Sequence, residues 1–166
     1  MKTVKINLYS FNELSDKAKG KAFNQFLDIN VDSDWWKSTY EDANNIGLKI
    51  TSFDLDRNRH AKGEFTISAA EVCANIFRDH GQQCETYKTA EAFMEEWQPI
   101  FDNYMDETHP EYESRELENK LQELESDFLN SLLEDYSIML QRECEYLQSY
   151  EAIKETIEAN DYQFTE

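Results

Sequence analysis

The chain has 166 residues, 40% hydrophobic and 13% aromatic, with a formal net charge of −19. That composition supplies a core, carries more aromatics than a disordered acidic chain would, and argues against direct nucleic-acid binding. Three cysteines, Cys73, Cys84 and Cys144, without C-x-x-C spacing argue against a disulfide framework or a structural zinc site.

The acidity is unevenly placed. Residues 1–85 hold 11 basic and 13 acidic side chains, and residues 86–166 hold 5 and 22, balances of −2 and −17. Bulk acidity for solubility would spread over both halves, and self-repulsion of this size opposes compaction. Four glycines and two prolines imply few sharp turns and long regular elements. Residues 1–9 alternate where a leader would show an apolar run, and no stretch approaches the ~18 apolar residues of a membrane span. The expectation is a soluble, cytoplasmic protein.

In chain order, residues 4–9 alternate Val4, Ile6 and Leu8 with Lys5, Asn7 and Tyr9, the pattern of a half-buried strand. Asn12 or Ser15 then caps a helix with Leu14, Ala18, Ala22, Phe26 and Ile29 inward, and Lys17, Lys19 and Lys21 outward. Asp32, Ser33 or Asp34 caps a second helix that carries Trp35 and Trp36 and runs to Ile46. Adjacent helical positions diverge by about 100°, so one indole is expected in the core and the other over a seam or interface, in preference to a platform for stacking bases. Gly47 suits a left-handed helix end. Residues 48–56 and 63–67 read as a hairpin around a polar turn. Ser68 with Glu71 is a capping box for the next helix, which Gly81 ends.

From residue 86 the composition shifts. Residues 89–104 form a helix with Ala92, Phe93, Trp97, Ile100, Phe101 and Tyr104 on one side, kinked or divided at Pro99. His109-Pro110 is a joint. Residues 111–147 repeat apolar side chains, from Leu117, Leu121, Leu124, Phe128 and Leu132 to Tyr136, Leu140 and Leu147, at steps of three and four. As one helix this segment would be about 55 Å long; a break within 126–131 would divide it. Ser149 caps a last helix, and residues 162–165 form a closing strand. The expected fold is α+β: a small, mainly antiparallel sheet of three or four strands packed with helices, plus a long acidic helix or hairpin. Its organisation is a near-neutral core over 1–85, an acidic helical arm over 86–148, and a helix and strand over 149–166 returning to the core, one domain overall.

Chemistry-bearing motifs are weak. Asp54, Asp56 and Asn58 begin a calcium-type loop, but Arg59 and Phe65 stand where Gly and a bidentate Glu are needed. His60, His80 and His109 are scattered, and carboxylates are too many for any pair to mark an acid–base dyad. No catalytic residue, metal ligand or cofactor is assigned; a metal-dependent enzyme using Asp54, Asp56 and His60 is the third-ranked reading.

The acidic segment is the main feature. Carboxylates in rows on a helix imitate the charge of a nucleic-acid backbone and steer encounter with a basic surface, while aromatics hold it. The residues expected to face such a partner are Glu111, Glu113, Glu116, Glu118, Glu123, Glu125, Asp127, Glu134 and Asp135, with Tyr112 and Tyr136 as anchors; Tyr104, Tyr146 and Tyr150 are further aromatics within reach.

Four stretches carry a resemblance: Leu8 to Lys19 (LYSFNELSDKAK), Asp32 to Trp36 (DSDWW), Phe53 to Arg57 (FDLDR) and Glu151 to Asn160 (EAIKETIEAN). Over its length the chain resembles a family of small acidic proteins encoded by bacteriophages and prophages, without an assigned function. The resemblance implies a genomic setting and, by analogy of class, an anti-defence role such as anti-restriction or anti-CRISPR. The expectation is a non-enzymatic inhibitor acting on a basic, nucleic-acid-binding host defence effector, without binding nucleic acid or membrane itself. The alternative is a homo-oligomeric accessory protein, such as a homodimer formed through the apolar stripe.

Overall fold

A computed structural model describes residues 5–110 and 114–165. It is α+β, and its described residues fall into two compact units: unit 1, from residues 1–35 and 141–166, and unit 2, from residues 36–140.

Unit 1 is built on α1 (Asp16–Gln25) and α6 (Tyr150–Ala159), with β1 (Tyr9–Ser10) paired antiparallel to β4 (Gln163–Phe164). Phe11, Leu14, Ala22, Ile153 and Ile157 form its buried centre, ringed by Phe23, Phe26, Ile29 and Phe164. Ser15 and Ser149 stand at the helix starts as expected, and the Ser149 hydroxyl accepts the Ala152 amide. The alternating N-terminal stretch does not form the expected half-buried strand. Lys5–Leu8 carry no regular structure, Ile6 and Leu8 are exposed, and only Tyr9 and Ser10 pair. Val4 lies outside the described residues.

Unit 2 begins with α2 (Lys37–Ile46), the hairpin β2 (Leu48–Asp54) and β3 (His60–Phe65), and α3 (Ala69–Asp79). Gly47 ends α2 at φ +93°, a conformation that favours glycine. Its amide donates to the carbonyl of Asn44. The helix starts later than expected: Trp36 is its N-cap, so Trp35 and Trp36 precede it, both half-buried. Trp36 rests edge-on against Phe53. β3 starts three residues before the expected strand because the turn closes early, the Asp56 amide donating to Asp54 Oδ1 at 2.8 Å. The capping box is present: the Glu71 amide donates to Ser68 Oγ, and the Ser68 amide to Glu71 Oε2.

Two helices complete unit 2. α4 (Glu85–Met105) is continuous through Pro99, and α5 (Arg115–Leu147) is a single helix of 33 residues, unbroken at 126–131. Residues after Leu140 in α5 belong to unit 1. The four strands form two separate two-stranded antiparallel sheets.

The core of unit 2 includes Ile46, Leu48, Val72, Ile76, Ala90, Phe93, Trp97, Leu121, Phe128, Leu132 and Tyr136. The acidic helices are therefore part of this core's framework; they are not appended to it. Phe93 stacks on Phe128 at 4.3 Å, Trp97 Nε1 donates to Glu125 at 3.2 Å and the Thr89 hydroxyl to Asp135 at 2.7 Å. These pairs step forward along α4 and backward along α5, so the two helices run antiparallel.

Candidate functional site

Helical geometry divides the α5 carboxylates. Those on the side of the helix opposite Leu121, Phe128 and Leu132 face solvent: Glu116, Glu123, Asp127 and Glu134 share one line. Steps of seven and four residues place neighbours about 10 Å and about 6 Å apart along the axis. Glu118 is exposed at the N-terminal end, where acidic side chains complement the helix dipole.

Several expected partner-facing residues have internal tasks instead. Tyr136, expected as an anchor, is fully buried, and its hydroxyl donates to Asp42 Oδ2 at 2.8 Å. It sits on the core side of α5 and is unavailable to a partner. Asp135 is half-buried and accepts the Thr89 hydroxyl; burial holds its carboxyl above the ordinary range. Glu134 pairs with Arg59, which also donates to Ser137 Oγ, so this acid secures the hairpin turn against α5. Glu125 accepts the Trp97 indole. Glu116 pairs with Lys120 at 3.2 Å. Glu111, Tyr112 and Glu113 lie outside the described residues. Glu118, Glu123 and Asp127 remain exposed, with no side-chain hydrogen-bond or ion-pair partner among the described residues.

A second acidic row, on α4, lies outside the residues expected from sequence to face a partner. Glu91, Glu95 and Asp102 fall on one exposed line, and Glu96 projects from the flank nearer α5. Its signal was present, since Glu91, Glu95, Gln98 and Asp102 follow steps of four, three and four. Between the helices lies a groove of about 320 Å³ with Phe93, Leu124 and Phe128 in its floor and Glu96 and Asp127 among its lining residues.

A separate polar cluster joins three helices of unit 2 and the loop after α3. Asp42 on α2 receives the Tyr136 hydroxyl on one oxygen, with His80 Nε2 at 3.6 Å from the other. His80 Nδ1 lies 2.7 Å from the buried Thr86 hydroxyl in the first turn of α4. The His80 imidazole, with the Tyr136 hydroxyl assisting, holds the Asp42 carboxyl below its ordinary range. Each of these side chains contacts another member of the cluster, as expected of pins between elements.

The calcium-like turn is likewise internally engaged. Asp54 holds the Asp56 amide, and His60 Nδ1 lies 2.8 Å from the Asn58 carbonyl. Among the described residues no group of three or more His, Cys, Asp or Glu side chains is placed to hold a metal ion. No helix among them is long and apolar enough to cross a membrane. Of the stripe expected to mediate self-pairing, Leu121, Phe128, Leu132 and Tyr136 lie in the core of unit 2 with Leu124 packed against it, while Met139 is exposed.

Comparison of the chain with protein-family models, with curated proteins and with solved structures gives no match.

Proposed function

We propose that this chain is a non-enzymatic, phage-type inhibitor of a host defence system, such as a restriction or CRISPR effector. Unit 2 would occupy a basic groove that otherwise holds nucleic acid. The observation that carries the reading is the pair of antiparallel helices whose outward carboxylates have few internal counter-charges. Glu91, Glu95, Glu96, Glu118, Glu123 and Asp127 lack ion-pair partners among the described residues. Lys88 and Lys120, the lysines of these helices, pair with Glu85 and Glu116. Like charges held on a rigid, well-packed frame repel one another until an opposite surface arrives, so binding relieves a strain that folding has fixed in place.

Neither helix approaches the charge density of duplex DNA, one charge per about 1.7 Å. The imitation is therefore local, at steps of about 6 Å and about 10 Å. Affinity would come from partner arginines and lysines placed at such spacings. The test is charge reversal at Glu91, Glu95, Glu118 and Glu123 to Lys, all exposed, with folding checked by circular dichroism. A basic nucleic-acid-binding protein captured from a bacterial lysate by the wild type should be lost from the variant. Retention of that protein by the folded variant would refute the reading.

A further inference from the structure

The groove between α4 and α5 differs from the rest of the acidic surface in having an apolar floor. Phe93 and Phe128 are nearly covered, stacked at 4.3 Å, with Leu124 beside them. Glu96 lines it from α4 and Asp127 from α5, both exposed and both without a hydrogen-bond or ion-pair partner among the described residues. Ala92 and Ser131 complete the solvent side of the two walls. At about 320 Å³ the space is large enough for one long side chain.

We infer that this groove seats an arginine side chain of the basic partner, its methylenes on the Phe93–Leu124–Phe128 floor and its guanidinium between Glu96 and Asp127. The inference rests on the proposed function and names the contact that would give it specificity. An apolar floor with a carboxylate on either wall matches a cation with an apolar stem. Arginine fits better than lysine for two reasons. Its planar fork offers donors to both carboxylates at once, and its weaker hydration lowers the cost of lying on an apolar surface. A bare divalent cation fits poorly, because the floor supplies none of the six or more oxygens such an ion requires.

The test uses the full chain and two labelled nine-residue probes, one of arginine and one of lysine, titrated by fluorescence anisotropy at about 0.15 M salt. Three double variants are compared. Ala92→Leu with Ser131→Leu fills the groove without changing charge, Glu96→Gln with Asp127→Asn neutralises its walls, and Glu91→Gln with Glu95→Gln removes the same charge away from it. Filling or neutralising the groove should weaken the arginine probe about tenfold, the loss of one charge-assisted contact, and the lysine probe much less. The Glu91 and Glu95 pair should weaken both probes alike. If the filled variant does not fold, the wall-neutralised pair decides. Equal losses from the groove and off-groove pairs, with binding still salt-sensitive, would overturn the groove and leave the proposed function standing. Failure of the wild type to bind either probe even at low salt would overturn both.

Discussion

Replacing Tyr136 by Phe isolates the polar pin at the centre of unit 2. The ring stays in the core and only the hydroxyl is lost, together with its 2.8 Å bond to Asp42. A hydrogen bond to a charged acceptor contributes about 1.5–3 kcal/mol. The Asp42 side chain is 43% exposed, so water replaces part of what the hydroxyl gave, and the expected loss falls to roughly 1–2 kcal/mol. With a urea slope of about 2 kcal/mol per molar, the unfolding midpoint should fall by about 0.5–1 M at unchanged slope. The pH dependence follows from Asp42, whose carboxyl is held below its ordinary range by His80 first and by Tyr136 as well. A depressed carboxyl lends stability above the ordinary carboxylate range and loses it as pH falls through the folded-state value. The deficit of the Phe variant should therefore shrink in acid. A double-mutant cycle with Asp42→Ala should show coupling between the two sites. An unchanged midpoint at neutral pH, or strict additivity in the cycle, would refute the assignment.

Other consequences are equally direct. Gly47→Ala should lose about 2 kcal/mol, or about 4–8 °C in melting temperature, because φ is +93° and the new Cβ would stand 2.5 Å from Ile67. Ser68→Ala removes the N-cap of α3 and should lose about 1 kcal/mol by chemical denaturation. Asp135→Asn should stabilise the protein near neutral pH, since burial disfavours the charged form while the Thr89 hydroxyl can still donate to the amide oxygen. The sign follows from the raised carboxyl. Its favourable contribution is complete below the unfolded-state pKa and is lost as pH rises through the folded-state value, so the variant's gain should vanish in acid. A thermal melt that shows no gain near neutral pH, or a gain that persists in acid, would contradict this.

Local rules of the chain that depend on few residues were legible. Ser68 with Glu71, Ser149 before α6 and Gly47 after α2 each act through backbone groups within a turn, so sequence suffices to place them. The long stripe of α5 was legible for the same reason, as 3.6-residue periodicity over 33 residues is hard to imitate. Residues 5–8 misled because alternation records only which residues could share a face. A strand also needs a neighbour, and the pairing reaches only Tyr9 and Ser10. Trp35 and Trp36 misled because three capping residues precede them, whereas the chain continues through a turn to Lys37 before the helix starts. In the site, sequence identified the acidic segment and not which of its acids are engaged inside the fold. Asp135 and Tyr136 follow the exposed Glu134 in the chain, but they are bound to Thr89 and Asp42, residues 46 and 94 positions away. Such long-range pairings have no local signature. The acidic row on α4 was readable by spacing, and it gains meaning only once α5 lies beside it.

Whether unit 2 competes with nucleic acid for a basic surface, as proposed, is decided by competition under varied salt. A captured basic partner would be titrated with this protein and, separately, with its own nucleic acid. Binding should be mutually exclusive, with both affinities falling as salt rises. The slope for this protein should be the shallower, because its carboxylates are sparser than phosphates and fewer condensed counterions are released. Simultaneous binding of protein and nucleic acid, or an affinity indifferent to salt, would contradict it.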